Sequence, residues 1–241
     1  MSGEGAVAFD DRYAVLHALE SATHILSSVP PLSEGVDPVL DQYGEVIAAS
    51  RAAWTGYLSS TGVYGDTGGA WVDESAAIGQ GRRTARADAD LAWQALRPDV
   101  HVFRLPGIYG PGRSALDRVR EGKAHRIDIP DQIFSRIHVD DIVAAVLASF
   151  AGPSGVYNIS DDLPASQNAV IEYVCDLMDI EWPPLLSLED AQLSQMARGF
   201  YAENRRISNR KAKRMLQWIP QYSTYKQGLK SLIDLQNQNG D

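Results

Sequence analysis

Leu58-Ser59-Ser60-Thr61-Gly62-Val63-Tyr64-Gly65 (LSSTGVYG) reads as the end of a buried strand running into a serine-rich turn. The strand behind it spans 54–59. On its amino-terminal side, 37–50 places Val39, Leu40, Tyr43, Val46 and Ile47 on one helical face, with Asp37 as N-cap and Pro38 at the first helical position. Before that helix, 24–29 (HILSSV) is β-rich and stops at Pro30-Pro31. Residues 12–21 pattern as a helix and 6–9 as a short strand. On the other side, a Gly-rich turn leads to a helix over 82–96 and a strand over 100–105 (VHVFRL), ended by Pro106-Gly107. A helix capped by Asp140 or Asp141 runs to Phe150, and 156–159 is one more strand. Strands alternating with helices at this spacing predict an α/β fold with a parallel sheet covered on both faces.

Beyond Ser160 the texture changes. Helical patterns dominate at 166–178, 188–197, 209–216 and 224–235, strands become scarce, and Trp182-Pro183-Pro184 marks a rigid connection. The expected division is a sheet domain over 1–160 and a smaller, mostly helical cap over 161–241.

Composition narrows the function. The chain has 241 residues, 44% hydrophobic and 22% charged, with a net charge of −9 and a pI near 5.0. That acidity argues against nonspecific nucleic-acid or anionic-membrane binding, which relies on basic side chains meeting phosphates. No apolar run is long enough to span a bilayer, and MSGEGAVAFDD has neither a basic nor an apolar leader segment, so the expected location is the cytoplasm. The single cysteine, Cys175, sits in an apolar helical pattern and reads as a small buried hydrophobe. The five histidines show no metal-ligand spacing. The expected partner is a small nucleotide or sugar ligand, with a homodimer through helices 37–50 and 82–96 as the assembly to test.

In an open parallel sheet, ligands bind at the carboxyl ends of the strands. Three segments fall there: Ser28-Val29-Pro30-Pro31, Ser59 to Gly65, and RLPGIYGPGR (104–113). Together with Arg136-Ile137-His138-Val139-Asp140-Asp141-Ile142, Val156-Tyr157-Asn158-Ile159-Ser160, Arg206-Ile207-Ser208-Asn209 and Leu216-Gln217-Trp218, they make the chain resemble the extended short-chain dehydrogenase/reductases of the NAD-dependent epimerase/dehydratase type. The likeness runs from about His24 onward. It implies a Rossmann-like domain, NAD or NADP as cofactor, and a C-terminal cap holding a nucleotide-linked or phosphorylated sugar. By the same likeness Ser60 holds the catalytic serine position, Ser28, Val29, Pro30 and Pro106 border the cofactor, and Tyr109 and Arg113 border the substrate.

Two departures stand beside these matches. The family's tyrosine and lysine, in which a cation makes a phenol of ordinary pKa about 10 competent near neutrality, fall on Arg82 and Arg86. A guanidinium does not deprotonate, so the likeness is to an atypical branch. Tyr64 or Tyr109 then either replaces the missing phenol or packs its ring at the base of the cleft. The second departure is the absence of a strand followed by G-x-G-x-x-G near the start. Relative to the family, roughly 50–60 residues of the first mononucleotide half are missing, so the Rossmann-like sheet is expected to be incomplete at its N-terminal side, as a fragment or with a partner covering the edge, and NAD(P) is expected to bind these residues weakly or not at all. The alternatives to an active oxidoreductase are a non-catalytic nucleotide sensor or interaction protein on the same scaffold, and an inactive fragment.

Overall fold

The computed structural model of the chain describes residues 5–32, 35–79, 84–193 and 195–238. Four strands form the central sheet: β1 (His24–Ser27), β2 (Trp54–Ser60), β4 (Val100–Leu105) and β8 (Gly155–Asn158), in the order β1-β2-β4-β8, all parallel. Short pairs flank it: β3 (Trp71–Val72) with β10 (Arg206–Ile207), β5 (Gly107–Tyr109) with β7 (Arg136–His138), and β6 (Arg126–Ile127) with β9 (Leu185–Leu186). The helices are α1 (Arg12–Ser21), α2 (Pro38–Ala49), α3 (Thr84–Leu96), α4 (Ala115–Arg120), α5 (Val139–Ser149), α6 (Gln167–Met178), α7 (Gln195–Phe200), α8 (Arg210–Met215) and α9 (Tyr225–Gln238).

The sheet is buried on both faces, which is why every residue of β4 is buried, His101 and Arg104 among them, instead of alternate ones. Its alternation shows in where each side chain goes. Val100 and Val102 pack with Ile25, Tyr43, Ile47, Tyr57 and Trp93 under α1, α2 and α3, whereas Phe103 and Leu105 pack with Trp54, Ile137, Ala145, Tyr157 and Trp218 under α5 and α8. Tyr57 and Trp93 stack at 5.1 Å and 8°. A third cluster joins Tyr109, Leu116, Val170, Val174, Tyr225 and Leu229, so α4, α6 and α9 close as one layer beside the sheet. Cys175 is fully buried against Ala124 and Ile171.

Several local expectations are corrected. Residues 6–9 form no strand; the Phe9 carbonyl accepts from the Tyr43 hydroxyl and its ring meets Tyr43 edge-on, so the segment is tied to α2 instead of to the sheet. The helix expected over 188–197 gives way to a turn, in which Ser187 and Asp190 bond each other, and α7 begins later. Neither Asp140 nor Asp141 caps α5: His138 does, its Nδ1 accepting from the Asp140 N–H at 3.2 Å. Asp141 is fully buried and instead accepts from the backbone N–H groups of Gln221 and Tyr222, fixing the approach to α9. Arg82, with residue 83, lies outside the described residues. No described helix is long and apolar enough to cross a membrane.

Candidate functional site

The carboxyl ends of β1, β2 and β4 open onto a cleft of about 640 Å³ that Leu193, Phe200, Tyr201, Glu203 and Arg205 also line. Parallel pairing creates it, because the register that sets Ser60 opposite Leu105 ends both strands at one level and sends their loops the same way. Ser28, Pro30, Ser60, Pro106 and Arg113 all line this cleft; Val29 does not. An adjoining cavity of about 420 Å³ is lined by Tyr109 and shares Arg113, Arg118, Arg136 and Gln167 with the cleft. The Gly110–Arg113 turn that presents Arg113 is closed by reciprocal backbone bonds and needs φ +70° at Gly112, a conformation glycine adopts without strain.

Ser60 caps the short helical turn Thr61–Tyr64, its Oγ accepting from the Gly62 N–H at 3.1 Å. One lone pair is thus engaged, and no described residue accepts its hydroxyl proton. Its neighbour Ser59 points the other way, donating to Asp90 Oδ2 at 2.6 Å. Asp90 also receives Arg104 through two prongs, Nη2 to Oδ1 at 2.8 Å and Nε to Oδ2 at 3.0 Å. Arg104 Nη1 donates to the Tyr64 hydroxyl, which donates in turn to Asn158 Oδ1 at 2.7 Å. Every member of this chain of bonds is buried, and burial raises the Tyr64 pKa against the opposing pull of Arg104. Tyr64 lines neither cavity, and both roles of its hydroxyl are spent inside the protein.

Tyr109 is buried and lines the adjoining cavity instead of the cleft. Its hydroxyl has no hydrogen-bond partner among the described residues, and burial, with Asp161 and Asp141 nearby, holds its pKa far above the usual range. Gly228 of α9 lies directly over the ring, where an added Cβ would collide with the hydroxyl. Removing an unsatisfied buried hydroxyl is nearly neutral. Tyr109→Phe is therefore expected to unfold in urea within about 1 kcal/mol of the wild type, or above it; a loss beyond about 2 kcal/mol would mean that the hydroxyl is engaged.

Charge distinguishes the cleft. Arg86, Arg113, Arg118, Arg136 and Arg205 line it against the carboxylate of Glu203, which Arg205 meets at 2.8 Å. Arg86 also faces the buried Tyr57 hydroxyl and opposes the burial that pushes its pKa up to about 12. Arg136 is 8% exposed and donates to the carbonyls of Phe134 and Ala165 and to Gln167 Oε1, all neutral acceptors. No described carboxylate lies within 4.0 Å of it. Burial draws its pKa down to about 10, so it remains a cation at neutral pH. Arg136 stands in a sequence motif that assigns it no role, and no sequence signal marks Arg118, Gln167 or Tyr201; only tertiary packing brings these four to one cleft.

A dinucleotide needs a seat for its pyrophosphate, and two helix N-termini of the sheet domain are already filled. The N-terminus of α2 is filled by the Asp37 carboxylate, which accepts from the N–H groups of Val39 and Leu40 and from Trp93 Nε1. The N-terminus of α5 is taken by His138. Among the described residues no three His, Cys, Asp or Glu side chains gather as metal ligands would.

No protein-family model and no curated protein matches the chain. Among solved structures, a functionally unknown conserved protein from Silicibacter pomeroyi shares 45% identity, with a TM-score of 0.83 over 90% of this chain and 79% of that one. MoeE5, in complex with UDP-glucuronic acid and NAD, shares 16% identity and a TM-score of 0.70, covering 93% and 82% of the two chains. A dTDP-glucose 4,6-dehydratase from Bacillus anthracis, in complex with NAD, shares 18% identity and a TM-score of 0.72, covering 95% and 77%. At 16% and 18% the likeness is one of fold.

Proposed function

Because the chain belongs to the family of the conserved Silicibacter pomeroyi protein, on a Rossmann-type scaffold, we propose that its cleft binds a phosphorylated or nucleotide-linked sugar, as an atypical short-chain dehydrogenase/reductase of the epimerase/dehydratase type. The observation that carries this reading is the imbalance of cleft charge, five arginines against one carboxylate, in a protein whose net charge is −9. Cations concentrated in one concavity of an acidic protein favour an anionic ligand, and planar guanidiniums suit phosphate or carboxylate oxygens. Ser60 Oγ, with its proton unclaimed, is placed to polarise a ligand hydroxyl or carbonyl.

Calorimetry with UDP-glucuronic acid tests this. Binding is expected to weaken as salt rises and to fall roughly tenfold in Arg113→Ala, the loss of one charge-assisted contact. Heat-silent mixing at millimolar ligand would refute it. With the N-terminus of α2 occupied by Asp37, NAD and NADP are expected to bind these residues weakly or not at all, and low-micromolar affinity for either would overturn that expectation. A second reading, a non-catalytic sensor, is favoured by Arg86, a group that transfers no proton, lining the cleft at the position of the family's lysine. Binding without turnover across a sugar-nucleotide panel would support it.

A further inference from the structure

We propose that Tyr201 is the acid–base group of the cleft, donating its phenolic proton to an oxygen of the bound ligand. This rests on the reading of the cleft as a site for an anionic sugar. Three observations carry it. Among the described residues lining the cleft, Tyr201 is the one tyrosine, and the lining holds no His, Lys, Cys or Asp. The arginines do not release protons, and Glu203 is engaged with Arg205. Among the described residues, Tyr201 alone combines a dissociable phenolic proton with a position on the wall of the cleft.

Its hydroxyl is also unspent. Tyr64 donates to Asn158 and Tyr109 lines the adjoining cavity with its hydroxyl against Gly228, while no described residue bonds the hydroxyl of half-buried Tyr201. The ring is held, since the Tyr201 N–H bonds the Arg198 carbonyl and the ring meets Phe134 edge-on at 5.7 Å and 83°. Third, the surroundings are cationic. Arg118 from α4 and Arg136 from β7 both favour the phenolate, against burial, which raises the pKa overall. On its own segment stand Arg198, which donates to the Leu193 carbonyl, and the Glu203–Arg205 pair. A neutral phenol that two guanidiniums can stabilise once ionised has the character of a proton donor. The step moves one proton: it leaves the Tyr201 oxygen for the ligand oxygen, the phenolate stays facing Arg118 and Arg136, and the reverse transfer restores the neutral ring.

The test uses the full chain labelled at the tyrosine Cζ carbons, with UDP-glucuronic acid as probe and Tyr201→Phe both to assign the resonance and to measure affinity. Saturating probe is expected to move the Tyr201 resonance and raise its titration midpoint, because a bound anion opposes a phenolate, while the Tyr64 and Tyr109 resonances stay in place. Tyr201→Phe is expected to bind roughly tenfold more weakly through the lost hydrogen bond to a charged group. A Tyr201 midpoint that the probe does not move, or an unchanged affinity in Tyr201→Phe, overturns the proposal while leaving the reading of the cleft intact. Absence of binding to either protein overturns both.

Discussion

Asp90→Ala is expected to remove about 3–5 kcal/mol of stability, on the order of 10 °C in Tm, although Asp90 itself does not line the cleft. Asp90 is fully buried and Arg104 is 3% exposed, so the variant strands a guanidinium in the protein interior between α3 and the sheet. The cost arises less from the attraction lost than from the cation left without a counter-charge. The same change frees the Ser59 hydroxyl and loosens Arg104 from Tyr64, so the turn carrying Ser60 loses an anchor on each side. Urea denaturation measures the effect. Replacing both partners, Asp90→Leu with Arg104→Met, is expected to recover much of the loss, since neither charge then remains buried alone. A single-variant cost under about 1 kcal/mol would show that water or rearrangement compensates the arginine, and that the network does not hold the turn.

That network also marks where sequence reading stopped. Strand β4 is read directly from VHVFRL because its valines, phenylalanine and leucine are β-favouring and Pro106-Gly107 ends the run. α2 is equally legible, since Asp37 and Pro38 announce its start in local chemistry. Arg104, inside the same β4 string, carries no sign of Asp90 fourteen positions earlier or of Tyr64 forty earlier. Tyr64 stands four residues after Ser60, which suggested a shared role; the helical turn between them sends Ser60 to the cleft and Tyr64 into the interior. α4 was missed although Ser114 and Asp117 form a reciprocal capping box, because Gly110, Pro111 and Gly112 just before it read as loop. His138 capping α5 was masked by two aspartates, the more usual caps, immediately after it. The cleft follows the same rule: the parallel-sheet pattern puts Ser28, Ser60, Pro106 and Arg113 in strand-end segments, whereas Arg136 and Tyr201, 65 positions apart, line one cleft only through tertiary packing.

Raising the pH from about 4 to about 8 is expected to weaken the protein through Asp161 alone by roughly 3–5 kcal/mol, and Asp161→Asn is expected to abolish that slope. Asp161 follows β8 and is 1% exposed; Oδ1 accepts from the Leu163 N–H at 3.2 Å, and Oδ2 has no partner among the described residues. Burial raises its pKa from 3.8 to about 7, with neighbouring Asp162 adding to the rise and Arg136 and the Leu163 N–H opposing it. The sign follows from proton affinity. The folded state holds the proton more tightly than the unfolded chain, so stability is full below the unfolded pKa near 4 and is lost as pH climbs through the folded value near 7. Asparagine keeps the acceptor for Leu163 and carries no charge, so the variant should match the wild type near pH 4 and exceed it near pH 8. Urea midpoints for both proteins across that range decide the matter, and parallel curves would show that Asp161 is ionised at no cost. The consequence reaches the cleft, because Asp161 is the carboxylate whose field acts most on buried Arg136. An ionised Asp161 subtracts from the positive potential that Arg136 offers an anion, so Asp161→Asn should bind UDP-glucuronic acid more tightly than the wild type at pH 8 and equally at pH values where the wild-type carboxyl is protonated.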